Sequence, residues 1–144
     1  MASEMQVEVV APDGQIWQGE AISVIVRTTE GDIGILLNHE PVMAAMVPCA
    51  AEIVTSDGHR EIIAVGGGFI SVYDNRVSLL SDTASLAGEE SPEEAAKELA
   101  QMQPEIEAGD MSDEDTRRYH QLEAQVKAGE RYAQLHGQMS EVAA

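Results

Sequence analysis

Cysteine, aromatic side chains and positive charge are all scarce in this sequence, and each scarcity narrows what the chain does. The single cysteine, Cys49, has no internal partner, and the four histidines show no paired Cys/His spacing, so neither a disulfide framework nor a structural zinc is encoded. This cysteine usage fits a reducing compartment. Only five aromatic residues occur in 144, which leaves the core to aliphatic side chains. Lysine and arginine number 8 against 26 aspartates and glutamates, a formal charge of −18, so phosphate backbones and anionic bilayers would repel the chain. Direct nucleic-acid binding is not expected on that ground. No run approaches the ~18 consecutive apolar residues of a membrane span. The N-terminal stretch, Met1 to Gln6, has neither the basic segment and apolar core of a signal peptide nor the arginine-rich character of a transit peptide. Any membrane association is expected to run through another protein.

What is present is 44% hydrophobic residues, too many for a disordered acidic chain, on a length that suits one domain or a small domain with an appendage. Composition changes near Ala87. The first 87 residues hold 11 Val and 9 Ile, whereas the last 57 hold only Val126, Val142 and Ile106. β-Branched residues favour pleated strands, so the switch reads as sheet followed by helix, with a boundary at Ser85 to Ser91 that divides a domain at 1–87 from one at 88–144.

Short apolar runs in the first part are separated by turn signals. The runs are Met5–Val10, Ile22–Thr28, Val42–Val47, Ala51–Thr55, Glu61–Val65, Phe69–Tyr73 and Val77–Leu80, with Asp57-Gly58 and Asp74-Asn75 as hairpin turns. Ile62-Ile63-Ala64-Val65 is apolar on both faces and demands cover on both sides, which predicts an antiparallel β-sandwich or flattened barrel. In the second part Ser91-Pro92-Glu93-Glu94 and Ser112-Asp113-Glu114-Asp115 are helix starts. Ala95, Leu99, Met102 and Ile106 form one apolar stripe, which Pro104 should kink or end, and Tyr119, Leu122, Val126, Gly129 and Ala133 form a second. The short Gly109-Asp110-Met111 link predicts an antiparallel two-helix hairpin, and its thin, alanine-rich stripes make that hairpin marginal by itself.

No catalytic, cofactor-binding or metal constellation emerges. Gly66-Gly67-Gly68 precedes a strand-like run and not a helix, and no Lys-Ser/Thr pair follows, so a bulge or close backbone approach outweighs a phosphate cradle. His39 stands in a loop without co-ligands at short spacing, and Cys49 beside Pro48 reads as a small hydrophobe. Arg117, Lys127 and Arg131 share a helical arc opposite the Tyr119/Leu122/Val126 stripe. Two readings stand for them: solubilising charge with intrahelical pairing, or a basic edge that grips an acidic partner.

Four segments in order carry a family resemblance: Thr29-Glu30-Gly31-Asp32-Ile33-Gly34-Ile35-Leu36, Asn38-His39-Glu40-Pro41-Val42, Ala64-Val65-Gly66-Gly67-Gly68-Phe69, and Asn75 through Ala84. Together they resemble the epsilon subunit of the F-type ATP synthase, specifically over residues 5–84 and loosely in the helical tail. The resemblance implies a sandwich of ten strands followed by the helical hairpin. It implies a rotor-stalk subunit without chemistry of its own, bound to the gamma subunit and resting on the membrane ring, peripheral on the cytoplasmic face of a bacterial plasma membrane. It makes Gly31, Asp32, His39, Glu40 and Pro41 the ring-facing residues. It makes Arg117, Arg118, Lys127 and Arg131 candidates for inhibitory contact with an acidic segment of the catalytic alpha/beta head. Some bacterial members bind ATP through an Ile/Leu-Asp-x-x-Arg-Ala motif; here Ser91 replaces the aspartate and Glu94 the arginine, so weak or absent ATP binding and no cofactor are expected. The competing expectation is a free-standing acidic β-sandwich that recruits a protein partner.

Overall fold

The computed structural model describes residues 4–87 and 91–143, with side chains through Leu135. Residues 88–90, inside the anticipated boundary, lie outside the described residues, as does Glu90 of the stretch compared with the nucleotide motif. Among the described residues eight strands are formed: β1 (Met5–Ala11), β2 (Gly14–Ala21), β3 (Ser23–Thr28), β4 (Gly31–Leu36), β5 (Val42–Val54), β6 (Arg60–Tyr73), β7 (Arg76–Ser81) and β8 (Ala84–Leu86). They pair in the order β2-β1-β7-β6-β5-β3-β4, with β8 on β6. The long strands β5 and β6 carry the sheet from one layer of a sandwich into the other. The first half of β6 pairs with β8 and its second half with β7.

Two sequence expectations are corrected here. The runs Val42–Val47 and Ala51–Thr55 are one strand, and so are Glu61–Val65 and Phe69–Tyr73, which is why eight strands replace the implied ten. The sandwich is also not wholly antiparallel, because β1 lies parallel to β7 with Val7 opposite Val77. Strands β2 and β4, which the apolar runs did not single out, are the two edges.

The glycine run is the bend that lets β6 change layers. Gly67 and Gly68 have φ of 105° and 126°. A Cβ on Gly68 would stand 2.0 Å from the Leu80 carbonyl oxygen, and one on Gly66 would stand 2.2 Å from Thr83 Oγ1, so only glycine permits the close approach. The Asp74-Asn75 hairpin turn has both residues left-handed, as a type I′ turn requires.

The core is aliphatic. Met5, Val7, Val9, Val24, Val26, Ile35, Ile53, Ile63, Val65, Ile70 and Leu79 are all buried between the layers. Ile62 and Ala64, on the opposite face of β6, are also buried, and a helix supplies the second cover that their pattern demanded.

Pro104 has its expected effect and turns the two-helix expectation into three helices: α1 (Pro92–Gln101), α2 (Gln103–Ala108) and α3 (Asp113–Ala143). Ser91 and Ser112 accept from the backbone N–H groups of Glu94 and Asp115 at 3.2 and 3.1 Å, as N-caps do. Gly109, with φ 73°, ends α2 in the left-handed region. α3 then returns antiparallel to α1 and lies across β5 and β6.

Candidate partner interfaces

The hairpin is docked on the sandwich through small side chains. Ala124 and Ala128 of α3 sit on Ile62 and Ala64, with Ala50 alongside. Gly129 brings α3 against Pro92 so closely that a Cβ there would stand 2.5 Å from the Pro92 Cβ. The buried row of α3 is therefore Leu122, Ala124, Gln125 and Ala128, which shares only Leu122 with the anticipated stripe: Tyr119, Val126 and Gly129 are half-buried and Ala133 is exposed. Gln125 carries a buried Nε2 with no hydrogen-bond partner among the described residues.

The basic residues singled out in the tail frame this contact. Arg118 forks onto Glu98 of α1 at 2.6 and 2.9 Å. Lys127 Nζ donates to the Pro48 carbonyl at 3.1 Å. Arg131 donates to both oxygens of Glu52 on β5 at 3.0 and 3.2 Å. Arg117 is exposed. Alanines admit the helix axis close to the sheet, and the long stems of Lys127 and Arg131 reach past them to β5. Of these cations, Lys127 and Arg131 thus meet the chain's own β domain, while Arg118 ties α3 to α1.

Burial favours the neutral form of Glu52, but the hydrogen bonds and charges of Arg131 and Arg60 outweigh it and hold the carboxyl below its ordinary range. Glu98, paired with Arg118, is likewise lowered.

The expected ring-facing residues separate into two groups. Gly31 and Asp32 open β4 beside the β3–β4 turn, where Asp32 lies 3.6 Å from Arg27, and Thr28 Oγ1 donates to the Gly31 carbonyl at 2.8 Å. His39, Glu40 and Pro41 follow the other end of β4, roughly 20 Å away at the rise of a strand. There Asn38, left-handed at φ 64°, donates its backbone N–H to Asn75 Oδ1 at 2.7 Å, which ties the His39 loop to the β6–β7 turn. Sequence proximity did not reveal that β4 lies between the groups.

Asp32 and Lys127 also line a groove of about 460 Å³ between α3 and strands β3 and β5, together with Arg27, Glu52 and Cys49. Its charges are mixed, and burial pushes the Cys49 thiol up, away from the reactive thiolate. Among the described residues, no group of three His, Cys, Asp or Glu side chains is placed to hold a metal ion, and no helix is long and apolar enough to cross a membrane.

Sequence reasoning missed a second surface. On the outer face of the layer away from α3, Ala45, Phe69, Leu80 and Val10 stand side by side across β5, β6, β7 and β1. Phe69 is 54% exposed and Leu80 49%, with Met43 at 73% on the same face of β5. The signal was legible: Phe69-Ile70 and Leu79-Leu80 are adjacent large apolar pairs, and in a strand one member of each must face outward.

The family profile described as the β-sandwich domain of the ATP synthase delta/epsilon chain matches residues 4–87. The ATP synthase epsilon chain of Cutibacterium acnes is 40% identical over 132 residues, 86% of this chain and 90% of that one. The chain belongs to the ATP synthase delta/epsilon family. Another member, the epsilon chain of Streptomyces avermitilis, is 45% identical over 108 residues, 75% of this chain and 87% of its own. The fold of this delta/epsilon family member also matches a chain in the mitochondrial ATP synthase of Euglena gracilis, with TM-score 0.69, 22% identity, and coverage of 92% of this chain and 82% of that one.

Proposed function

We propose that the chain is a non-catalytic central-stalk subunit of a proton-translocating ATP synthase, peripheral on the cytoplasmic face of a bacterial plasma membrane. What carries this reading is the 40% identity with an epsilon chain over 132 residues, which extends through the sandwich into the helices. The free-standing binding module is not favoured for the same reason. In the proposed assignment, the Phe69/Leu80/Met43 face docks the gamma subunit, since monomers rarely leave so continuous an apolar row uncovered. Asp32 and Gly31 at one end of β4, and His39, Glu40 and Pro41 at the other, face the ring or its junction with gamma. Turns clasped by side chains suit a joint through which torque passes. Arg117, Arg118, Lys127 and Arg131 meet an acidic segment of the catalytic head when the hairpin is released.

Affinity capture of the tagged chain from gently solubilised membranes tests the assignment. The chain should recover gamma, the catalytic subunits and the ring protein, while Phe69→Asp, checked for an intact sandwich by Trp17 fluorescence, should lose them together. Recovery of none by the unaltered chain, from membranes holding intact synthase, would return the binding module to first place.

A further inference from the structure

One carboxylate on the sandwich is claimed by two arginines from different elements. Glu52 is 7% exposed. It accepts from Arg60 Nη1 at 2.6 Å and from Arg131 Nη2 and Nε at 3.0 and 3.2 Å. Arg60 opens β6, the strand paired with β5, and remains beside Glu52 wherever the hairpin lies. Arg131 belongs to α3 and departs with it.

We infer that Glu52 is a reversible latch for α3, closed by Arg131 and kept openable by Arg60. The apolar contact beneath α3 is built largely from alanine, so the charged contact has an unusually large share in deciding whether the helix stays docked. A carboxylate paired with Arg131 alone would be left without a partner whenever α3 lifted, and stranding a charge in that way strongly opposes opening. Arg60 removes this obstacle because Glu52 keeps a cation in both states. It also places a second positive charge beside Arg131 in the docked state, which weakens the closed form. A further polar clamp, Lys127 on the Pro48 carbonyl, involves no such competition. The latch concerns docking alone and does not depend on what the released hairpin touches.

The two arginines therefore act with opposite sign. Hydrogen exchange of the α3 amides in residues 122–131 of the full chain reads docking directly, because protection there reports local opening. Glu52→Gln and Arg131→Gln should each speed exchange by about tenfold, the scale of a part-exposed charged hydrogen bond, and Arg60→Gln should slow it several-fold. If Arg60 were only a structural support for Glu52, its loss would loosen the site and speed exchange as well. Arg60→Gln exchange equal to or faster than that of the unaltered chain overturns the inference. So does unchanged exchange in Arg131→Gln, which sits on a helix surface and keeps the test decisive should Glu52→Gln fail to fold.

Discussion

Gly129→Ala is a perturbation whose two consequences fall on different equilibria. A Cβ at this position would stand 2.5 Å from Pro92 Cβ and 2.8 Å from Pro92 Cγ. Carbon atoms pack best about 3.5–4.0 Å apart, so α1 would have to retreat by roughly 1 Å. The proline ring cannot swing aside, since its torsion is fixed and it sits in the first turn of the helix. Retreat stretches the Arg118–Glu98 fork, now at 2.6 and 2.9 Å, and lifts Ala95, the one buried residue of α1. Overpacking of this kind costs about 1–3 kcal/mol and falls on the pairing of α1 with α3. Alanine meanwhile favours the α3 helix itself by up to about 1 kcal/mol over glycine. Hydrogen exchange resolved by segment separates the two effects. The amides of α1 should exchange roughly 5- to 140-fold faster, at about 1.4 kcal/mol per decade, while those of α3 do not follow. Slower exchange in α1 and α3 together would show that propensity dominates and that the Gly129–Pro92 contact sets no spacing.

The remaining expectations concern pH and the tail as a whole. Because Glu52 is held below its ordinary range when docked, its contribution is complete above the free-glutamate value of about 4.3 and is lost as pH falls through the lower docked value. Protection of α3, corrected for intrinsic exchange, should therefore be flat from about pH 8 to 5 and fall only in stronger acid; loss between pH 7 and 5 would assign the docking to another group. Ending the chain after Ala87 should leave capture of gamma intact and raise ATP hydrolysis by the assembled complex about five-fold or more, the ordinary scale of a regulatory coupling. Hydrolysis unchanged by the truncation would deny the hairpin an inhibitory role.

Local chemistry was the most legible part of the sequence. Ser91, Ser112, Pro104, Gly109 and the Asp74-Asn75 turn each act through their own backbone or immediate neighbours, and each lies where the pattern put it. Two-sided burial at Ile62–Val65 was equally plain, although its cover came from α3 and not from a further sheet. Strand number was misread because turn-like residues inside β5 and β6 mark bends: Pro48 and Gly66 face each other across the ladder, and the strands continue past them. The face of α3 was misread for an energetic reason. Apolar side-chain area ranks Tyr119 and Val126 above Ala124 and Ala128, but a helix lying flat on a sheet buries the side chains that let it come closest. As for the interface residues, Asp32 and His39 are seven positions apart, a spacing that does not say whether a strand runs between them.

The division between a firm sandwich and a loosely held hairpin follows from what each buries. Separating the two layers would expose more than ten fully buried Val, Ile, Leu and Met side chains, each contributing about 1.5–3 kcal/mol, so the sandwich opens only by unfolding. Lifting α3 exposes Ile62, the half-buried Leu135 and a few far smaller alanines, and exchanges Arg131 for solvent while Glu52 keeps Arg60. The cheapest large motion available to this chain is therefore release of α3 from an intact sandwich. That motion frees the cations Lys127 and Arg131 in one step. The same two side chains that fasten the helix to the β domain are thus the ones it presents once released, so docking and engagement of an acidic partner through them exclude each other.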